Sequence, residues 1–218
     1  MTDLQLYGFS VSPHVRTARM AFHEKSIALD FREIALDELG TDAYARINPF
    51  RKMPALVHGE LCLYETPALM TYADAIGRGP SLEPSDAAAR AQMWKFVGVA
   101  QNHLYPVGAM QLYFHSVLAR VFGMTPDASV AASAAVRTAE HLDVLESGLR
   151  PGVLHLAGNG LSHADLYCGA MVDYVARTRE GRAMIATRPR VSAWLGALRG
   201  RASFVDTFAE MLRGTDQA

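Results

Sequence analysis

A proline stands at the head of a short apolar run in Asn48-Pro49-Phe50-Arg51-Lys52-Met53-Pro54-Ala55-Leu56-Val57, and few folds accept one there. Proline has no N–H to give to a sheet ladder. Pro54 must therefore enter its strand at an edge, a bulge or a turn, and a cis bond at such a place is a built feature. Met53 would then hold its backbone N–H and C=O clear of the ladder, where they can take up a short extended peptide as one more strand. Glu65 and Thr66, in Tyr64-Glu65-Thr66-Pro67, are near enough to hold a charged end of it.

The segments around this run fix the element order. Leu4-Gln5-Leu6-Tyr7-Gly8-Phe9 alternates like a half-buried strand. Ser12-Pro13 then precedes an apolar pattern at Val15, Ala18 and Phe22, which reads as N-cap, first helical position and helix. Ser12 thus lies at the positive end of a helix dipole, where an anion is welcome. A second alternating run from Leu29 to Leu36 makes a parallel, right-handed crossover. Leu56 to Leu63 reads as a tight hairpin turning at Gly59, and Pro67 starts a helix reaching about Gly77. The first part of the chain is β-α-β, an intervening segment, then β-β-α.

This order, with proline leading the third strand, resembles the thioredoxin-like half of a soluble glutathione transferase. The resemblance extends to Tyr7-Gly8 followed by Ser12, to Asn48-Pro49-Phe50 ahead of Pro54, and to Glu65-Thr66 before the next helix. It is nearest to the serine-type classes, phi-like bacterial members above all. It implies a thioredoxin-like glutathione-binding domain over 1–78, a linker over 79–85, and an all-helical domain with a hydrophobic substrate site over 86–218. It also implies Ser12 as the catalytic hydroxyl facing the glutathione sulfur, a cis-proline at Pro54, Met53 pairing by backbone with the cysteinyl unit, and Glu65 with Thr66 on the γ-glutamyl end. Lys52 would approach the tripeptide from the side, and Phe50 would be a key inserted into the other subunit of a homodimer. Pro67 stands where the family usually has a basic residue, and Asp37 to Asp42 lacks the usual His-Lys pair. The glycyl carboxylate is thereby left to Arg46, Arg51 or Lys52.

The chemistry implied is nucleophilic attack by glutathione sulfur on small hydrophobic electrophiles. A cysteine-type thiol with a pKa of about 8.5 is only a few per cent thiolate at neutral pH. Lowering that pKa by two units requires about 2.7 kcal/mol. One hydroxyl donor to an anion supplies roughly 1.5–3 kcal/mol and a helix N-terminus about 0.3–1 more. Tyr7 is the rival hydroxyl, since other classes of the family use a first-strand tyrosine. The Phe9-Ser10-Val11 extension favours Ser12, by carrying it to the helix mouth. The electrophile would lie over the sulfur, bordered by Ser10 and Val11 and by Tyr105, Met110 and Phe114 of the first long helix of the helical half.

After Arg78-Gly79-Pro80-Ser81-Leu82-Glu83-Pro84-Ser85 the periodicity is helical throughout. Phe96 to Ala119 carries no charged residue, yet Gln101, Asn102, His103, Pro106, Gln111 and His115 interrupt it, so a buried helix or a dimer face is expected rather than a membrane span. Thr138, Leu142, Leu145 and Leu149 mark the inner stripe of the next helix. Ser162 to Asp165 is a capping box stapled by Leu161 and Leu166, a structural N-cap rather than a catalytic group.

Composition narrows the alternatives. A chain of 218 residues with half its content apolar supports a substantial core, and a net charge of −1 gives no electrostatic case for nucleic acid or an anionic membrane as partner. Met1-Thr2-Asp3 opens without a basic n-region or apolar h-region, and Cys62 and Cys168 lie in apolar patterns expected to bury them as inert thiols, so a cytoplasmic protein is expected. The eight histidines show no metal-ligand spacing, and Ser12 beside His14 lacks a nucleophile elbow; no metal is expected. Two other readings stay open. One is a glutathione-dependent peroxidase or thiol-disulfide enzyme, disfavoured because a serine forms no mixed disulfide; the other is a non-catalytic interaction or scaffold protein on the same fold.

Overall fold

The structure is a computed structural model and describes residues 3–214. Met1 and Thr2, on which the expectation about targeting rests, lie outside the described residues. The described chain forms two compact units, one of residues 3–81 with Ala202–Met211, the other of Leu82–Arg201 with residues 212–214.

The first unit contains β1 (Leu4–Gly8), α1 (Pro13–Glu24), β2 (Asp30–Glu33), the short α2 (Asp42–Ala45), β3 (Ala55–His58), β4 (Leu61–Tyr64) and α3 (Thr66–Ile76). Its sheet order is β2-β1-β3-β4, with β1 and β2 parallel and the other pairs antiparallel. This is the expected thioredoxin-like arrangement. The alternation in β1 buries Leu4 and Leu6, and α1 turns Val15, Ala18 and Phe22 into the same core. Gly8 is fixed by packing, because a Cβ there would stand 2.5 Å from Val15 Cγ2. The β3–β4 hairpin turns on Gly59 and Glu60, with Gly59 at φ +59°.

Of the three placements open to Pro54 the structure takes the turn, and one other sequence expectation is corrected. β3 pairs on both sides and is a central strand, not an edge; Pro54 is tolerated because it precedes the ladders, which begin at Ala55. Cys62 is exposed, because its apolar strand is β4 at the sheet edge, whereas Cys168 is buried as expected.

The segment α10 (Ala202–Asp206) belongs with this unit through α1. The buried Arg16 donates Nη2–H to the Phe204 carbonyl at 3.0 Å, and its guanidinium carbon lies 4.9 Å from the ring centroids of both Phe204 and Phe208. His23 and Asp206 meet at 3.0 Å.

The second unit is helical. α4 (Ala87–Val99), capped by Asp86, runs on through Ala100–Leu118, which is wound with π-type bonds around the internal Pro106, and ends in α5 (Ala119–Val121). This charge-poor stretch is amphipathic rather than fully buried: Leu104, Leu112 and Tyr113 are covered, while Met110 is 44% exposed. Among the described residues no helix is long and apolar enough to cross a membrane. α6 (Ala128–Gly148) buries Thr138, Leu142 and Leu145, with Leu149 buried just beyond its end, as the inner stripe requires. α7 (His163–Val175) is buried along its whole length, and Tyr174 stacks on Tyr113 with ring centroids 5.0 Å apart. α8 (Arg179–Ala186) and α9 (Pro189–Arg199) complete the unit.

The start of α7 is set by Asp165. Its Oδ2 accepts the Ser162 N–H at 2.9 Å and the Ser162 hydroxyl at 2.7 Å, while its Oδ1 accepts the Leu156 N–H at 2.8 Å and the Trp194 Nε1–H at 2.9 Å. Burial pushes this carboxyl above the usual carboxylate range, against the pull of its donors. The expected capping box is thus also the anchor for a loop and for α9.

Candidate functional site

Sheet register brings three loops to one end of the first unit. Ala55, the first paired residue of β3, lies opposite Tyr7 on one side and Tyr64 on the other. Met53 and Pro54 therefore emerge between the Gly8–Ser12 loop and Glu65-Thr66. α1 and α3 both begin at this end, with Ser12 and Glu65 at their N-cap positions. The positive ends of two helix dipoles thus lie at this end of the unit, which favours an anionic ligand.

The Met53–Pro54 peptide bond is cis. The approach to it is held by a turn: Tyr44 Oη donates to the Lys52 carbonyl at 2.9 Å, Asn48 Nδ2 donates to the same oxygen at 2.7 Å, and Asn48 Oδ1 accepts the Phe50 N–H at 3.0 Å. Burial raises the Tyr44 hydroxyl to about 12, so it stays a proton donor. Met53 is half-buried and stands ahead of both ladders. Its Sδ accepts the Phe9 N–H at 3.2 Å, tying the Ser12 loop to the cis bond.

Ser12 has extended backbone, φ −66° and ψ 125°, as an N-cap requires. Its Oγ accepts the Val15 N–H at a long 3.4 Å, and among the described residues its hydroxyl donates to none. The O–H can thus be aimed at a ligand. Tyr7 donates its hydroxyl to Gln5 Oε1 at 2.7 Å and packs beside Ile34, Tyr44 and Ala55, as a residue occupied with the sheet. Glu65 is exposed, with φ +68° and no side-chain bond to α3, a backbone geometry costing about 1–3 kcal/mol that the surroundings must impose. Thr66 is buried, Lys52 is exposed, and Arg51 is engaged by Asp42 at 3.0 Å and by the Gly40 carbonyl.

His14, on the first turn of α1, is lowered to about 4, by burial first and then by the charge of Lys52. It is neutral at neutral pH. Its folded pKa lies below the unfolded value near 6.5, so the unfolded chain takes up the extra proton between those values and stability falls as pH drops through that window. His14→Gln is expected to remove about 2 kcal/mol of acid destabilisation between pH 7 and pH 4, the partial exposure of the ring being allowed for. Urea midpoints across that range check this; an unchanged acid limb would count against it.

Glu33, at the end of β2, is a member that no local pattern announces. Its Oε1 accepts both the Ser10 N–H at 2.8 Å and the Ser10 hydroxyl at 2.9 Å. Ser10 is therefore committed to holding the loop, and Val11 is buried beside it. Glu33→Ala is expected to speed amide exchange at Ser10 and Ser12 roughly fivefold, a loss of about 1 kcal/mol, while Glu33→Gln keeps the acceptor and the protection. Equal protection in both variants would remove Glu33 from the site.

Tyr105, Met110 and Phe114 lie in the helical unit. Tyr105 is half-buried with its hydroxyl pKa raised by burial, Met110 is open, and Phe114 packs edge-on to His115 at 5.1 Å. Phe50 is 63% exposed and meets Tyr64 edge-on at 5.7 Å. Among the described residues no group of three or more His, Cys, Asp or Glu side chains is arranged to hold a metal ion.

The fold and these residues have counterparts among known proteins. Residues 6–81 match the family model for the glutathione S-transferase N-terminal domain, and residues 117–197 match that for the C-terminal domain. The chain is 34% identical to glutathione S-transferase 3 of Zea mays over 96% of its own length and 95% of that protein. It is 30% identical to a glutathione S-transferase of Hyoscyamus muticus, over 91% and 94% of the two chains. Among solved structures it resembles glutathione S-transferase III in apo form, with a TM-score of 0.83, 30% identity and coverage of 95% and 96%. It also resembles glutathione S-transferase-I bound with lactoylglutathione, with a TM-score of 0.84, 25% identity and coverage of 94% and 97%.

Proposed function

We propose, since this chain belongs to the glutathione S-transferase family, that its first unit grips glutathione along the main chain beside the cis Met53–Pro54 bond and holds the sulfur as thiolate under Ser12. The activity is glutathione transfer, with glutathione as co-substrate: the thiol gives its proton to solvent, the thiolate attacks an electrophilic carbon, and as the carbon–sulfur bond forms either the carbon–halogen bond breaks and halide leaves, or the π bond of an enone breaks and the resulting enolate takes a proton from solvent. The observation that carries the residue assignment is the uncommitted Ser12 hydroxyl at the head of α1, tied through Phe9 to Met53.

In this reading the domains run 1–78 and 86–218 with a linker over 79–85. Met53 pairs with the cysteinyl backbone, Glu65 and Thr66 take the γ-glutamyl end, and Lys52 supplies a positive charge to the tripeptide. With Arg51 engaged by Asp42 and Gly40, Lys52 and Arg46 are the cations left for the glycyl carboxylate. Tyr105, Met110 and Phe114 contribute an apolar surface for the electrophile, whereas Ser10 and Val11, the one bound to Glu33 and the other buried, serve by holding the loop that carries Ser12. A cytoplasmic, detoxifying role accords with this chemistry.

The test is conjugation of glutathione to a panel of aryl halide and enone electrophiles by the purified protein. Acceleration over the solution reaction is expected. Retention on immobilised glutathione without turnover would instead favour an interaction protein.

The exposed Phe50 ring supports a homodimer in which it enters the partner, an isologous contact made twice. Phe50→Ala is expected to raise the dimer dissociation constant about a hundredfold, as truncation of an aromatic anchor does. Sedimentation over a concentration series reads this, and a monomeric parent protein with full activity would contradict it.

A further inference from the structure

Helix α1 is held along two stripes. Val15, Ala18 and Phe22, at helical spacing, turn one stripe into the core of the first unit. Arg16, Arg19, His23 and Glu24 belong to the rest of the helix surface, and each meets the segment 203–207, where the chain returns to this unit. Arg16 donates Nη2–H to the Phe204 carbonyl at 3.0 Å, and Arg19 donates Nη1–H to the Thr207 carbonyl at 3.4 Å. His23 meets Asp206 at 3.0 Å, and Glu24 Oε1 accepts the Ser203 hydroxyl at 2.5 Å. The segment is braced internally, the Thr207 hydroxyl donating to the Ser203 carbonyl at 2.6 Å.

Of these contacts the one at Arg16 is the most deeply buried and the nearest to Ser12 in the chain. The Arg16 N–H donates to the Ser12 carbonyl at 3.0 Å, the bond that joins the N-cap to the first turn of α1. Burying a guanidinium is expensive, and an apolar side chain could hold the segment at less cost. What the guanidinium adds is direction, since its planar fork reaches a carbonyl while its carbon lies 4.9 Å from the ring centroids of both Phe204 and Phe208. A hydroxyl stabilises an anion only where it is aimed, so a small rotation of that first turn weakens it. We propose that Arg16 is a positioning residue for Ser12: through it the segment 203–208 fixes the first turn of α1 and, with it, the aim of the catalytic hydroxyl. This role presupposes the thiolate-holding function given to Ser12 above. Arg16 acts through Ser12 and is not itself catalytic.

Ultraviolet thiolate absorbance of bound glutathione in Arg16→Met, set in a double-mutant cycle with Ser12→Ala, tests this. The titration midpoint is expected to rise by about one unit, which cuts the thiolate at pH 6.5 about fivefold, with glutathione KM within about twofold of the parent. In the Ser12→Ala background the same change should move the midpoint by less than about 0.3 units. Arg16→Lys keeps the charge and loses the fork, so it should shift the midpoint nearly as far as Arg16→Met. A merely structural role would lower the melting temperature and leave the midpoint of the folded fraction in place. Should Arg16→Met fail to fold, Phe208→Leu carries the same test: it takes one ring from the guanidinium, keeps an apolar side chain, and should shift the midpoint in the same direction. An unchanged midpoint in whichever of the two variants folds, full recovery by Arg16→Lys, or a shift that persists without Ser12 would each overturn the positioning role. A midpoint near about 8.5 in the parent protein would instead refute the role of Ser12, and this one with it.

Discussion

Replacing Ser12 by alanine is expected to raise the pKa of bound glutathione by about one to two units and to lower kcat/KM at pH 6.5 roughly ten- to hundredfold, with glutathione affinity nearly unchanged. The size follows from what is removed. A hydroxyl donating to an anion is worth roughly 1.5–3 kcal/mol, whereas the α1 N-terminus, about 0.3–1 kcal/mol, survives the substitution. Affinity is expected to survive because the proposed grip runs along the main chain at Met53 and at Glu65-Thr66, away from the sulfur. The Ser12 cap contributes little to the fold, its bond to the Val15 N–H being 3.4 Å long. The variant should therefore lose thermal stability by no more than about 1 kcal/mol, and circular dichroism melts beside the kinetics would separate the two effects.

The other large effect is structural. Asp165→Ala is expected to destabilise the protein by about 4 kcal/mol or more, lowering the thermal midpoint by roughly 10 °C. Three buried N–H groups, those of Leu156, Ser162 and the Trp194 indole, lose their acceptor together, and each unsatisfied donor costs about 1–3 kcal/mol. Because the damage is confined to folding, the thiolate pKa in the folded fraction should match the parent. A variant of normal stability with altered thiolate chemistry would reverse the roles assigned to Asp165 and Ser12.

How much of this was legible in the sequence depended on whether the information was local. The Ser12-Pro13 helix start, the turn at Gly59, the inner stripe from Thr138 to Leu149 and the capping box at Ser162 are each set within a few residues, and each stands in the structure as read. The proline before β3 was read through its missing donor, which constrains a residue and not a strand; that β3 is central follows from long-range pairing with β1. The apolar run around Cys62 predicts burial, yet the thiol is exposed, since a strand at a sheet edge is open on one side. Glu33 and Tyr44 act across a sheet end and a loop, through contacts that carry no periodicity. Asn48 is visible in the sequence as part of Asn48-Pro49-Phe50, but its double role, Nδ2 to Lys52 and Oδ1 to Phe50, appears only in three dimensions. Arg16 and Phe204 lie 188 residues apart, so their contact could not be anticipated from spacing.

The central claim concerns the ionisation of one sulfur. Ultraviolet thiolate absorbance of glutathione bound to the unmodified protein, titrated against pH, should give a midpoint near or below about 6.5, two units under that of a free thiol, and the drop should largely vanish in Ser12→Ala. A midpoint that stays near about 8.5 in the unmodified protein, or a drop that persists without Ser12 and disappears in Tyr7→Phe, would contradict it.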